Sequence, residues 1–196
     1  MPGIKLRCEP LTPDRWDDLV ELFGPRGACA GCWCMWPRRT TGEGKTSGEP
    51  NRRAFRKLVM DGPPPGLLGY RDGEPIGWVA IAPRREYKRF ERSRILQPVD
   101  DQEVWAVPCF FVARGARKQG VTKALLAAAC EWAKRRGARL IEGYPVDARG
   151  KEYAPAFAWH GLVGTFEAAG FREVARRSKR RPIMRRAVRG GRSGRG

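Results

Sequence analysis

The sequence predicts a mixed α/β domain, a sheet with central parallel strands flanked by helices. Three observations carry that prediction. Gly66–Arg71 and Ile76–Ala82 are apolar runs joined by Asp72-Gly73-Glu74-Pro75, a strong hairpin signal. Glu103–Val112 is apolar nearly throughout, as a central strand buried on both faces must be. Val121, Leu125, Ala128 and Trp132 then recur at spacings of 4, 3 and 4, so a helix lays one stripe on the sheet before the next strand, Arg139–Tyr144. Two strands joined by a helix run parallel.

The other elements follow in chain order. Thr12-Pro13-Asp14 opens a helix, with Pro in the first turn after a Thr cap. Trp16, Leu19, Val20 and Phe23 share one of its faces, and Gly24-Pro25 ends it. A second helix covers about 51–60, with Phe55, Leu58 and Val59 apolar, and closes at Asp61-Gly62 and three prolines. The helix between the parallel strands begins near Gln119 and runs to Arg136, where Gly137 supplies a left-handed stop. Residues 155–169 suit a further helix stopped by Gly170, and 171–177 with 182–188 finish as a basic two-stranded element.

Length and composition fit one such domain. At 196 residues the chain can bury a genuine core and needs neither disulfides nor metal to fold. Apolar residues make up 41% and charged residues 31%, which excludes a disordered chain. No run approaches the roughly 18 apolar residues of a membrane span, and the opening Met1-Pro2-Gly3-Ile4-Lys5 lacks a signal peptide's apolar core. The expected address is the cytoplasm, with no membrane partner.

The net charge of +18 predicts an anionic partner. Between Arg172 and Gly196 eleven Lys and Arg stand against one Glu, and residues 189–196 read as a mobile basic tail. A second cluster, from Pro83 to Arg92, interleaves Tyr87 and Phe90 with cations. It suits nucleic acid or a solvated helix face equally well.

Three of the six cysteines fall in Cys29-Ala30-Gly31-Cys32-Trp33-Cys34-Met35-Trp36. Structural zinc asks for four ligands, usually as two paired knuckles. The remaining completions, Cys8 or the sole histidine His160, bring no knuckle partner, so no metal is expected. The run reads as free thiols and large aromatics at one edge of a pocket. Residues 42–47, Gly-Glu-Gly-Lys-Thr-Ser, have the flavour of a phosphate loop. However, Arg39 stands where the first glycine belongs, and no strand precedes it. Residues 37–50 read as a polar, mobile loop.

The densest chemistry runs from Val112 to Lys123. A central strand feeds a short loop of cations and glycine, and the loop becomes a helix N-terminus. Free amides and the positive end of the helix dipole make an anion site there. Gly120 lets the backbone approach a diphosphate closely, and Arg114, Arg117, Lys118 and Lys123 neutralise its charge. Pro108 lies inside the strand, where it removes a ladder donor and favours a bulge or splay. A gap between parallel strands at their C-terminal ends is a natural ligand crevice.

Arg117-Lys118-Gln119-Gly120-Val121-Thr122 resembles the Arg/Gln-x-x-Gly-x-Gly/Ala signature of the GNAT N-acetyltransferase superfamily, which cradles the pyrophosphate of acetyl-coenzyme A. The resemblance covers roughly residues 66–188 by order of elements, and Ala168-Ala169-Gly170-Phe171 is similar to the family's closing helix-to-strand turn. It implies a single-domain GNAT-like mixed sheet over residues 1–188, with 1–65 forming substrate-side helices and the Cys/Trp loop and 66–188 the acyl-CoA-binding core. It implies pantetheine in a splay between Val104–Val112 and Leu140–Tyr144. The implied coenzyme site comprises Phe110, Phe111, Val112, Arg117, Lys118, Gln119, Gly120, Val121, Thr122 and Lys123. Thr122 replaces the small last residue of the signature. Phe166 stands where many members carry the tyrosine that protonates the leaving thiolate, so the resemblance assigns no acid.

Acyl transfer from a thioester to an amine needs a neutral amine, a stabilised oxyanion and a protonated leaving thiol. The oxyanion falls to a backbone amide at the splay, that of Cys109 or Phe110. Glu103 and Glu142 occupy sheet positions able to hold a base, directly or through water, although each also reads as an exposed strand carboxylate. Tyr144 is the preferred proton donor, with a packed aromatic as its alternative reading. Cys109 is a candidate nucleophile, but direct attack by the amine needs no covalent intermediate and a buried inert thiol fits as well. His160 reads as a surface residue.

The expected function is transfer of an acetyl or other acyl group from acyl-CoA to a primary amine of a small molecule or peptide, by a monomer or homodimer without metal. One alternative keeps the fold and uses or modifies an aminoacyl-tRNA, which answers the charge through phosphate contacts. Another is a non-catalytic GNAT-like module that binds nucleic acid or a protein.

Overall fold

A computed structural model describes residues 4–40, 47–148 and 159–188. Along them run β1 Arg7–Pro10, α1 Trp16–Phe23, α2 Glu49–Asp61, β2 Gly66–Arg71, β3 Glu74–Pro83, α3 Lys88–Glu91, β4 Trp105–Val112, α4 Val121–Arg135, β5 Leu140–Gly143, α5 Val163–Ala168, β6 Arg172–Arg176 and β7 Pro182–Ala187. The strands form one sheet in the order β1-β2-β3-β4-β5-β7-β6, antiparallel except at its centre, where β4 and β5 run parallel. The mixed α/β class with a central parallel pair is therefore the observed one.

Helix α4 packs on one face of the sheet. Its buried Val121, Leu125, Ala129 and Trp132 meet Val79 and Ile81 of β3, Val107 of β4 and Ile141 of β5. The approach is close at β3, where a side chain on Gly77 would come within 3.0 Å of both Leu125 and Val121. The other face carries α1 and α2. There Trp16 and Trp33 stack with centroids 6.0 Å apart, and Trp78 meets Phe23 and Phe55 edge-on. Each large ring buried this way contributes roughly 1.5–3 kcal/mol from area alone.

Three elements depart from the sequence expectation. β1 has no predicted counterpart, because four residues at the sheet edge ending in Pro10 carry no readable alternation. The basic cluster from Pro83 to Arg92 forms a 3-10 turn at Arg84–Glu86 and the single turn α3, with Arg85, Lys88 and Arg92 exposed but its aromatics turned inward rather than interleaved on the surface. Tyr87 and Phe90 are wholly buried, and Arg84 is buried beside them. Helix α5 begins at Val163, and Gly161 (φ +78°), inside the expected helix, is left-handed. The phosphate-loop-like residues 42–46, positions 155–158 of the expected helix, and the basic tail lie outside the described residues. Among the described residues no helix is long and apolar enough to cross a membrane.

Candidate active site

Strand β4 keeps its parallel partner for three residues: Trp105 faces Ile141, Ala106 faces Glu142 and Val107 faces Gly143. Pro108 comes next and has no N–H to offer β5. The β3–β4 register also slips opposite it, between Ala80 and Ala82. Bulge and missing donor act together, and the strands part as expected.

The upper part of that splay is bridged by Trp159–Leu162. On the β5 side, Val146 N–H donates to Gly161 O at 2.9 Å and Val163 N–H donates to Val146 O at 3.1 Å. On the β4 side, Phe110 N–H donates to Trp159 O at 2.6 Å, and His160 Nδ1 lies 2.6 Å from Pro108 O. A carbonyl only accepts, so Nδ1 carries the ring proton. His160 is thus no surface residue. It is 1% exposed, and burial, followed by the charge of Arg181, holds its pKa well below the ordinary value. Of the two amides expected at the splay, Phe110's faces it. Cys109 pairs with Ala80, and the alternation of the ladder turns its amide toward β3.

At the far end of β4 the chain makes a 3-10 turn, Arg114–Ala116, anchored by buried Ala116, and enters α4 behind Gly120. Gly120 is left-handed (φ +80°), and nothing lies within 4 Å of the position its Cβ would take. The first i→i−4 bond of α4 runs from Ala124 N–H to Gly120 O, so the amides of Val121, Thr122 and Lys123 precede the helical ladder. Arg114, Arg117, Lys118 and Lys123 are exposed around them. Arg117 Nε donates to Val112 O at 3.1 Å. Gln119 donates to Gly115 O and accepts from Arg71, so its side chain serves the loop itself.

A cavity of about 450 Å³ opens beside the splay. Cys109, Phe110 and Phe111 form one wall. The loop residues Ala28, Cys29, Ala30, Cys32, Cys34 and Trp36 also line it, with Ser47, Asn51, Arg39, Arg89 and Trp159 completing the lining. The loop owes its shape to non-glycine residues in the left-handed region, Ala28, Ala30, Trp33 and Cys34, a costly conformation that clusters at functional sites. The cysteine run thus lies where it was expected, at the edge of a pocket. Cys34 Sγ is 3.3 Å from Cys109 Sγ and accepts from Trp78 Nε1 at 2.9 Å. Burial pushes the Cys32 thiol up to about 11 and raises that of Cys29. The hydrogen bond to Cys34, then burial, lifts Cys109 well above its ordinary value. A protonated thiol is a poor nucleophile, which argues against Cys109 in that role. Among the described residues no group of three metal-ligating side chains gathers.

The acid and base candidates lie elsewhere. Glu103 is 95% exposed and pairs with Arg85 at the surface. Glu142 is wholly buried, but it accepts from Arg185 Nε at 2.7 Å and from Tyr144 Oη at 2.6 Å, with Arg84 Nε 3.4 Å away. Tyr144 is wholly buried as well, and burial, then the Glu142 charge, raises its pKa well above the usual range. Its proton is committed to Glu142. None of the three lines the cavity. Phe166 packs on Phe110 and Phe171. Arg89 and Trp159 line the cavity without having stood out in the sequence, one among many cations, the other beside a histidine read as surface.

The family model described as the acetyltransferase (GNAT) family matches residues 30–150, more than half of the chain. The chain belongs to the GNAT acetyltransferase family. Solved structures agree on the fold. A GCN5-related N-acetyltransferase from Kribbella flavida is 19% identical, with 93% of this chain and 98% of that one covered and a TM-score of 0.56. The GNAT domain of S. lividans PAT is 18% identical, covering 93% and 90%, with a TM-score of 0.55. A chain of the NatC complex bound to Gag peptide and CoA is 12% identical, covering 95% and 100%, with a TM-score of 0.52. No curated protein matches by sequence. GNAT acetyltransferases use acetyl-CoA, and in this GNAT chain the open side of Gly120, with the amides after it and the cations around it, has the chemistry a diphosphate requires.

Proposed function

We propose that this GNAT chain transfers an acetyl or other acyl group from acyl-CoA to a primary amine, of a small molecule or a peptide, by direct attack. One observation carries the reading. The same stretch of β4, Cys109–Phe111, walls the amine-sized cavity on one side and borders the splay on the other, and the strand then runs on to the α4 N-terminus.

The amides of Val121–Lys123, with Arg114, Arg117, Lys118 and Lys123, hold the coenzyme's diphosphate. Phe110 N–H is the oxyanion donor and exchanges the Trp159 carbonyl for the thioester oxygen. The amine nitrogen attacks the thioester carbon, the carbon–sulfur bond breaks, and the proton lost by the amine ends on the coenzyme thiolate. No carboxylate or imidazole among the described residues lines the cavity. The amine therefore enters as the free base, a form favoured by apolar walls and neighbouring guanidiniums.

An aminoacyl-tRNA donor has less support. Arg176 is bound to Glu173 and Asp147, Arg177 to the carbonyls of Gln97 and Pro98, and Arg185 to Glu142 and Asp100. Those cations of the basic C-terminal stretch are committed within the chain.

Calorimetric titration with acetyl-CoA, and separately with bulk tRNA, tests the reading alongside a free-thiol assay over a panel of amines. The expected outcome is stoichiometric acetyl-CoA binding and amine-dependent thiol release without tRNA. Turnover only in the presence of charged tRNA would overturn it.

A further inference from the structure

We infer that the acceptor is an aliphatic primary amine that carries both an aromatic ring and its own carboxylate, of the aromatic α-amino acid class, and that Arg89 is the residue that selects for the carboxylate. The inference rests on the acyltransferase reading above and names its substrate.

The charged side chains described at the cavity are of one sign. Arg39 and Arg89 line it, and among the described residues no Asp or Glu does. The nearby acids are already paired: Glu86 with Arg38 at 2.7 Å and Glu91 with Arg84. An ammonium with nothing else to offer enters such a site at a Coulombic disadvantage, whereas a carboxylate is attracted.

Arg89 is held ready for that contact. Its backbone N–H donates to Pro37 O at 3.2 Å, and its Nε donates to Trp36 O at 2.9 Å. Its guanidinium lies over the Trp36 ring, 4.6 Å from the centroid. Those contacts fix the group against the cavity wall and leave both Nη atoms without a partner among the described residues. A guanidinium pinned by its Nε side presents a fork that matches a carboxylate.

The remaining walls suit a flat ring. Trp36 and Trp159 meet edge-to-face with centroids 5.4 Å apart, and Phe110 and Phe111 line the same cavity. A volume of about 450 Å³ accommodates a small molecule, and the aromatic lining rewards ring stacking.

The test compares L-tryptophan and L-phenylalanine with tryptamine and phenethylamine, which lack only the carboxylate, and with a tryptophanyl-glycyl-glycinamide peptide. Acetyl transfer is read as product mass and thiol release. The amino acids should exceed their decarboxylated partners by about 10- to 100-fold in kcat/KM, the range of a charge-assisted pair. Arg89→Gln should bring that ratio close to one, chiefly through KM, and Arg89→Lys should retain part of it. Arg89 is half-buried on a single-turn helix, and circular dichroism confirms that each variant is folded. Equal or better use of tryptamine, or of the peptide, overturns the carboxylate inference and leaves the acyltransferase reading standing. Failure to bind acetyl-CoA in calorimetry overturns that reading instead.

Discussion

Phe110 and Trp159 are joined main chain to main chain, N–H to carbonyl, across 2.6 Å. The bond is the β4 half of the bridge that closes the splay, and it occupies the amide proposed to meet the oxyanion. Coenzyme binding therefore competes with a contact the chain already makes. Backbone amides of residues 159–163 should exchange with deuterium faster in the acetyl-CoA complex than in the free protein. Unchanged or slower exchange would mean that another donor meets the thioester oxygen.

Gly120 stands at φ +80° with open space on its Cβ side. A side chain there costs roughly 1–2 kcal/mol of backbone strain but collides with nothing. Gly120→Glu should keep the fold, lower the melting temperature by a few degrees and abolish acetyl-CoA binding, because its carboxylate faces the diphosphate. Calorimetry with unchanged affinity would remove the cradle assignment.

Tyr144 and Glu142 test whether the buried network is structural. Tyr144→Phe removes one hydrogen bond to a charged group, worth about 1.5–3 kcal/mol, and should leave kcat within twofold and the alkaline limb of the pH profile unmoved. Glu142→Gln leaves Arg185 and Arg84 beside a neutral amide, and should cost about 3–5 kcal/mol in denaturant unfolding. A large kcat loss in a stable Tyr144→Phe protein would restore Tyr144 as the acid.

His160 makes folding stability pH-dependent. Burial depresses its pKa in the folded state, so below about pH 6.5 the unfolded chain binds a proton that the folded chain refuses. Its contribution is complete above pH 6.5 and falls by about 1.4 kcal/mol per pH unit below it. The arginine-paired Asp100, held at about 2, and Glu173, held below its usual value, act only at lower pH, through the same loss on acidification. Urea unfolding from pH 8 to 5 should display this slope, and His160→Asn should flatten it.

How much of this was legible in the sequence depends on the range of the interaction. The Asp72-Gly73 hairpin, the stripe of α4 and the glycine at its N-cap are local, set by periodicity and by φ preferences that individual residues carry with them. Pro108 belongs with them, since within a strand as apolar as β4 a missing N–H removes a ladder bond. These features predicted the sheet, the splay and the cation-rich loop that enters α4.

Tertiary structure alone decided what each side chain meets. Glu142 and Tyr144 read as catalytic because a strand pattern does not say which partner waits on a given face. Arg185, 43 residues away, and Arg84, on another element, turn Glu142 into the centre of an ion network. His160 reaches Pro108 across 52 residues, and Arg38 meets Glu86 across 48, so that among the described residues no unpaired acid lines the cavity beside Arg89. Chain composition determined that cations and aromatics were present. Only folding, which brings distant segments within hydrogen-bonding range, determined which of them pair with each other and which are left facing a ligand.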